Sequence, residues 1–150
     1  MAIRPRQMVL IPFRKVDSGE SFEYLLSVGK NKEPWGWVQE FEWSDKTNED
    51  MATDLAVEHL GLAKHSVVVD LDAKSSLPRC TFFTQGEDWP EEVFIVPVVC
   101  FAIFTANQSV VLSESYSEMK WVSYDKAKES LQGSFARTAL WELQARLTSD

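Results

Sequence analysis

The sequence contains few of the residues on which several classes of protein depend. It has only two cysteines, Cys80 and Cys100, and they do not have the spacing of a zinc or redox motif. We expect both thiols to be buried and free, although a disulfide between them stays open. No apolar run approaches the roughly 18 residues of a membrane span, and the N-terminus lacks the long apolar segment of a secretion signal. These absences predict a cytoplasmic protein that does not contact a membrane.

Positive charge is also scarce. The chain has 15 lysines and arginines against 23 aspartates and glutamates, which gives a net charge of −8. Nucleic-acid binding through phosphate neutralisation needs the opposite balance, so we do not expect DNA or RNA as a partner. A small phosphorylated ligand remains compatible, because carboxylates can hold one through divalent cations. The sequence has no glycine-rich phosphate-binding loop, and its serines, histidines and aspartates do not follow the order of a Ser-His-Asp catalytic triad.

The pattern of apolar residues predicts one α+β domain over residues 1–150. Strands are predicted at 8–15, 22–28, 67–71, 79–84, 93–104 and 120–123, with a short extended piece at 110–112. Turns or loops are predicted at 16–21, 29–34, 88–92 and 106–109. Segment 35–43 is predicted to be extended, with its aromatic residues 35, 37, 41 and 43 on one face. Helices are predicted from Asn48, as N-cap, to a stop at Gly61, at 124–131, and at 134–147.

Several stretches resemble the Nudix hydrolase superfamily. They are LSESYSEMKWVSYDKA at 112–127, the strand at 94–104, ALWELQARL at 139–147, and Arg4-Pro5 with residues 8–14. The resemblance is nearest to dihydroneopterin triphosphate and deoxynucleoside triphosphate pyrophosphohydrolases. It implies an α/β/α sandwich with a mixed sheet, a small phosphorylated ligand such as a nucleotide, and Mg²⁺ as cofactor. Whether the chain forms a homodimer is left open.

The signature loop and helix of that superfamily match this chain poorly. The family pattern runs from a glycine through a glutamate to a helix with Arg-Glu and Glu-Glu pairs, and then to Gly-apolar. An ungapped placement on Gly61 retains Glu58 but puts Leu55 and His59 at two glutamate positions. Glu40 then stands at the opening glycine. The frame of the motif is present, and most of its metal-binding carboxylates are missing.

Three interpretations of the helix compete. Asp54 and Glu58 could belong to a solvated acidic stripe with His59 packed in the core. In the second interpretation, Asp54 and Glu58, four residues apart, hold a weakly bound magnesium ion with help from the ligand. In the third interpretation, Glu58 and His59 bind a softer metal.

The remaining candidates lie outside the helix. The resemblance implies that Glu114 acts as a base on water beside a catalytic Glu58, whereas Glu118 is assigned a structural role. Trp35 and Trp37 could stack on a base or pterin ring, and Lys46 could meet a phosphate. For each of these three residues, core packing or simple solvation is the competing explanation.

Two functions follow as expectations. The first is a pyrophosphohydrolase acting on a nucleotide or nucleotide derivative, with weak or altered metal-dependent activity. The second is an inactive Nudix domain that binds a nucleotide or a protein partner. A difference in magnesium dependence would separate them.

Overall fold

A computed structural model describes residues 4–16, 21–30, 34–82 and 89–149. Its strands are β1 Arg4–Lys15, β2 Phe22–Gly29, β3 Val38–Ser44, β4 Val68–Asp70, β5 Ser75–Pro78, β6 Ile95–Phe104 and β7 Tyr116–Val122. Its helices are α1 Asn48–Leu60, α2 Tyr124–Ser130 and α3 Ser134–Thr148, with a short 3₁₀ helix at Arg79–Phe82. The predicted turns at 16–21, 29–34 and 88–92 include residues 17–20, 31–33 and 88, which lie outside the described residues.

Strand β1 is the centre of a seven-stranded mixed sheet. It pairs antiparallel with β2 and β3 and parallel with β6. β7 then adds to β2, while β4 and β5 add to β6. The long apolar strand predicted at 93–104 is confirmed as β6.

The alternation of side chains along β1 creates two cores. Val9, Ile11 and Phe13 pack on the side of α2 and α3. Met8 and Leu10 point to the other face and pack against α1. The predicted α/β/α sandwich is therefore confirmed.

Helix α1 has well-defined ends. Thr47 is the N-cap, since its hydroxyl accepts a hydrogen bond from the Asp50 amide at 3.1 Å. The prediction of Asn48 as N-cap is wrong by one residue: Asn48 is already helical, and its side chain accepts from Arg6 Nη1 at 2.6 Å. Gly61 ends the helix as predicted, with the left-handed φ of 66° that favours glycine.

The strand predicted at 79–84 is wrong. The strand lies earlier, at β5, and the chain then turns into the 3₁₀ helix; residues 83 and 84 lie outside the described residues. Arg79 stabilises this turn, because its guanidinium donates to the carbonyls of Trp89 at 2.9 Å and Pro90 at 2.8 Å. Cys80 is exposed on this helix and Cys100 is buried, both free, so the expectation of two buried thiols is wrong for Cys80.

Glu142 of α3 holds the loop between β4 and β5. Its carboxylate accepts from the amides of Asp72 and Ala73, both at 2.7 Å, and pairs with Arg146. Desolvation acts to raise the pKa of Glu142, but these hydrogen bonds outweigh it and the pKa is lowered.

Candidate functional site

The candidate site forms where the C-terminus of α1 meets the segment before β7. The last carbonyls of a helix lack partners within the helix. Here the Val111 amide donates to the Leu60 carbonyl, and the Ser113 amide donates to the His59 carbonyl, each at 2.9 Å. The extended piece predicted at 110–112 therefore joins no strand; it satisfies the end of α1 and brings Ser113 beside His59.

His59 is the centre of this contact. Its side chain is buried, its Nδ1 lies 2.7 Å from Ser113 Oγ, and its Nε2 lies 3.1 Å from Glu40 Oε2. Nε2 makes no well-aligned hydrogen bond with any described residue. The Glu40 carboxylate is therefore close to Nε2, but the two groups do not have the geometry of a hydrogen bond. Tyr116 packs edge-to-face on the imidazole, with ring centroids 5.6 Å apart. The contacts join α1, β3 and β7.

A cavity of about 440 Å³ lies beside Glu40 on the α1 side of the sheet. Its walls include Ser27, Lys30, Trp37, Glu40, Ser115 and Tyr116. Tyr116 closes one side, because its hydroxyl donates to the Gln39 carbonyl at 3.0 Å and accepts from the Gln39 amide at 3.1 Å. Ser27 is 3% exposed, and its hydroxyl has no partner among the described residues. The volume is in the range of small-molecule sites.

A second cavity, of about 390 Å³, lies on the α3 side and has more aromatic walls. Trp35, Trp37 and Phe135 line it, and the segment 34–39 borders both cavities. Trp37 is buried, and its indole N–H donates to the Ala136 carbonyl at 3.2 Å. Lys120 Nζ lies 4.2 Å from the centre of the Trp35 ring. Both tryptophans predicted to contact a ligand thus border cavities, with Trp37 also serving the core.

The predicted metal ligands Asp54 and Glu58 lie elsewhere. Asp54 is exposed and pairs with Lys46 at 2.9 Å, while Lys46 also reaches Glu42 at 3.2 Å. The hydrogen bonds that Lys46 donates to Asp54 and Glu42 raise the pKa of Lys46. Glu58 is exposed and borders neither cavity. The structure therefore joins Lys46 to Asp54 but brings neither to His59.

The donor set does not fit magnesium. Leu55, at a glutamate position of the family pattern, is 2% exposed in the core between α1 and the sheet. Within the described ranges, no group of three or more His, Cys, Asp or Glu side chains could hold a metal ion. Magnesium needs several oxygen ligands in near-octahedral order, and for a softer metal the described side chain nearest to His59 Nε2 that could share it is Glu40, at 3.1 Å. Glu114 is exposed on the loop next to Ser113.

Sequence reasoning missed Glu40, Ser27, Ser113 and Tyr116 as members of the site. Glu40 carried a signal, because a carboxylate stands where the family pattern has its opening glycine. Ser27 carried a weaker one, as a hydroxyl within the apolar run of β2.

Comparison with known proteins places this geometry in a family. Neither the models of protein families nor the curated proteins give a match to the sequence. Among solved structures, a Listeria monocytogenes protein assigned as a NUDIX hydrolase is 28% identical, with a TM-score of 0.82 over 96% of this chain and 94% of that one. The fold is thus that of the Nudix hydrolases. The low sequence identity to these structures fits a divergent relative of this superfamily.

More distant structures share the fold. The Escherichia coli dihydroneopterin triphosphate pyrophosphohydrolase is 12% identical, with a TM-score of 0.71 over 97% of this chain and 99% of that one. The NUDIX domain of Shewanella oneidensis NrtR, solved with ADP ribose, is 14% identical, with a TM-score of 0.69 over 99% of this chain and 91% of that one.

The comparisons do not support the expectation that nucleic acid is excluded as a partner. A longer NrtR chain, 62% of which is covered, was solved with a 27-mer DNA. Among the described residues, no helix is long and apolar enough to cross a membrane.

Proposed function

We propose that this protein binds a nucleotide or nucleotide derivative in the cavity beside Glu40, and that it does so without magnesium. The observation that carries the proposal is the burial of Leu55 where the family pattern has a glutamate. The ligand class is suggested by the superfamily, whose relatives include the NrtR domain solved with ADP ribose.

The electrostatics of α1 support metal-independent binding. A pyrophosphate carries several negative charges, and Nudix enzymes neutralise them with divalent cations. Here Leu55 faces the core, while the Asp54 carboxylate is neutralised by Lys46. A magnesium ion would find too few protein oxygens to recruit it.

The aromatic walls support a ring-containing ligand. Trp37 and Tyr116 border the cavity beside Glu40, whereas Trp35 borders the neighbouring cavity on the α3 side. Aromatic side chains beside a few polar groups are usual in small-molecule sites, and stacking on one of them stabilises a base by about 1–3 kcal/mol.

Calorimetric titration tests the proposal. ADP-ribose and dATP are titrated into the protein with magnesium and then with a chelator, and the dissociation constants are expected to agree within about threefold. Binding that appears only with magnesium would refute the proposal.

A cavity-filling variant locates the site. Gly36 borders both cavities, and a Cβ atom added there lies 3.9 Å from the Pro34 carbonyl oxygen, so the first atom of a larger side chain fits without a clash. We expect Gly36→Leu to lose binding while it retains the wild-type melting temperature. Glu129→Gln, an exposed change on α2, is the matched control and should bind normally. Wild-type affinity in Gly36→Leu would place the ligand elsewhere.

A weak pyrophosphohydrolase is the second candidate. It is favoured by the contact between Ser113 and His59, because Glu114 and Glu58 are the sequence neighbours of these two residues. Magnesium-dependent release of phosphate or pyrophosphate from nucleotides would support it, provided that Glu58→Gln and Glu114→Gln each reduce the rate.

A further inference from the structure

Two polar groups in the wall of the cavity on the α1 side are not fully used within the protein. Ser27 is 3% exposed, and its hydroxyl has no partner among the described residues. Glu40 is held at one carboxylate oxygen, Oε2, which lies 3.1 Å from His59 Nε2. A buried hydroxyl without a partner is costly, and a bound water or a ligand group satisfies it.

The two groups lie on the same side of the sheet. Ser27 follows Leu25 by two residues in β2, and Glu40 follows Val38 by two residues in β3, and both hydrophobic residues pack on the α1 side. A backbone bridge joins Ser27 of β2 to Gly36, which lies two residues before β3, and both Ser27 and Glu40 line the cavity. A ligand in the cavity can therefore contact both groups.

The chemistry of the wall favours an uncharged hydrogen-bond donor over a phosphate. A carboxylate only accepts hydrogen bonds, so Glu40 pairs with a hydroxyl or amino group. It repels a phosphate, and its partner His59 lies behind it in the protein interior. Among the described residues that line the cavity, Lys30 is the one lysine or arginine, and its side chain is exposed.

We propose that Glu40 and Ser27 bind neutral donor groups of the nucleoside part of the ligand, so that this part enters the cavity and any phosphate stays outside near Lys30. The inference rests on the proposed function and specifies which end of the ligand is recognised. The donor is a ribose hydroxyl or a base amino group. The affinity of the pocket is then set by the nucleoside and not by the phosphates.

The test compares ligands with and without phosphate. Adenosine, AMP and ADP-ribose are titrated into the wild type, Glu40→Gln, Ser27→Ala and the control Glu129→Gln. We expect adenosine to bind within about threefold of AMP. Glu40→Gln should weaken both by about tenfold, because a charged acceptor becomes neutral. Glu129→Gln should match the wild type.

Two analogues identify the donor. Loss of binding by 2′,3′-dideoxyadenosine would assign the ribose hydroxyls, and loss of binding by inosine would assign the base amino group. Either result supports the inference, whereas full affinity of both analogues would overturn it.

Thermal melting of Ser27→Ala gives a readout that does not depend on ligand. Removal of a hydroxyl that has no partner should leave the melting temperature of the free protein unchanged or higher. A clear drop would show that the hydroxyl is already satisfied, and would overturn its assignment to the ligand.

The failures of the two proposals are distinguishable. If nucleotides bind but adenosine binds at least about a hundredfold more weakly, or if Glu40→Gln tightens nucleotide binding, the inference is wrong and the proposed function stands. If none of the ligands binds, both are wrong.

Discussion

Leu55→Glu is the substitution that tests the site most directly, because it restores the family's residue at a metal-binding position. In this protein Leu55 is 2% exposed and packs between α1 and the sheet. Truncation of a buried leucine typically costs about 2–5 kcal/mol. A carboxyl group in the same apolar place must in addition remain neutral or be charged without a partner. We expect a loss of stability on the order of 5 kcal/mol, a large fraction of the total for a domain of this size.

Urea denaturation at several pH values measures this cost. Burial should raise the pKa of the new carboxyl in the folded state above its unfolded value. The penalty is then smallest below the unfolded pKa of about 4.3, and it grows until the pH passes the folded pKa. Leu55→Gln, which has similar size and no charge, is the control and should show no such pH dependence.

Repeating the denaturation of Leu55→Glu with magnesium tests whether this face of α1 can bind a metal ion. Because Leu55 faces the core, we expect millimolar magnesium to leave the stability of Leu55→Glu unchanged. Recovery of stability with magnesium, or a gain of magnesium-dependent nucleotide binding, would show that this face of α1 can still hold a metal and would refute our reasoning.

Three further predictions concern other parts of the structure. Ser113→Ala should lower the free energy of unfolding by about 1–3 kcal/mol in urea titrations, because it removes a hydrogen-bond partner of buried His59. Glu142→Gln should be less stable than the wild type at neutral pH. Since the folded pKa of Glu142 is lowered, this difference should vanish as the pH falls through that pKa, and melting curves across pH will show whether it does. A thiol reagent should label exposed Cys80 in the native protein but Cys100 only after unfolding, since burial raises the pKa of Cys100 to about 12; equal labelling rates would contradict this.

The arrangement around His59 shows how α1 keeps its place in the fold with an apolar residue at position 55. Leu55 extends the apolar face of α1 into the core, and His59 is hydrogen-bonded to Ser113, with Glu40 3.1 Å from its Nε2. The helix thus remains fastened to the sheet and to the loop before β7. Charge that would belong to a metal site is instead on the outer face, where Asp54 pairs with Lys46.

Much of the fold was predictable because its signals are local. Apolar alternation marks β1 and β6, and the left-handed turn at Gly61 ends α1. Errors arose where a distant contact overrides a local preference. Asn48 has the chemistry of an N-cap, yet Arg6 engages its side chain and Thr47 caps the helix.

The candidate site was predictable only in part. The sequence pointed to Trp35 and Trp37 through their spacing, and both border cavities. It also pointed to Glu58 and Asp54 through helical periodicity. Periodicity gives the angle between two side chains about the helix axis, but it does not say which face of the helix is buried. The proposed roles of these four residues in ligand or metal binding stay predictions.

The sequence by itself determined most of the order of strands and helices, with β5 as the exception, and the absence of most carboxylates of the family pattern, because periodicity and residue identity are properties of neighbouring positions. Only the tertiary structure decided what replaces them. His59 meets Ser113 across 54 positions of sequence and Glu40 across the gap between α1 and β3. Neither contact has a local signal. The contact with Glu40 forms only when β1 aligns β3 beneath the helix, and the contact with Ser113 forms only when the segment before β7 packs on the helix end.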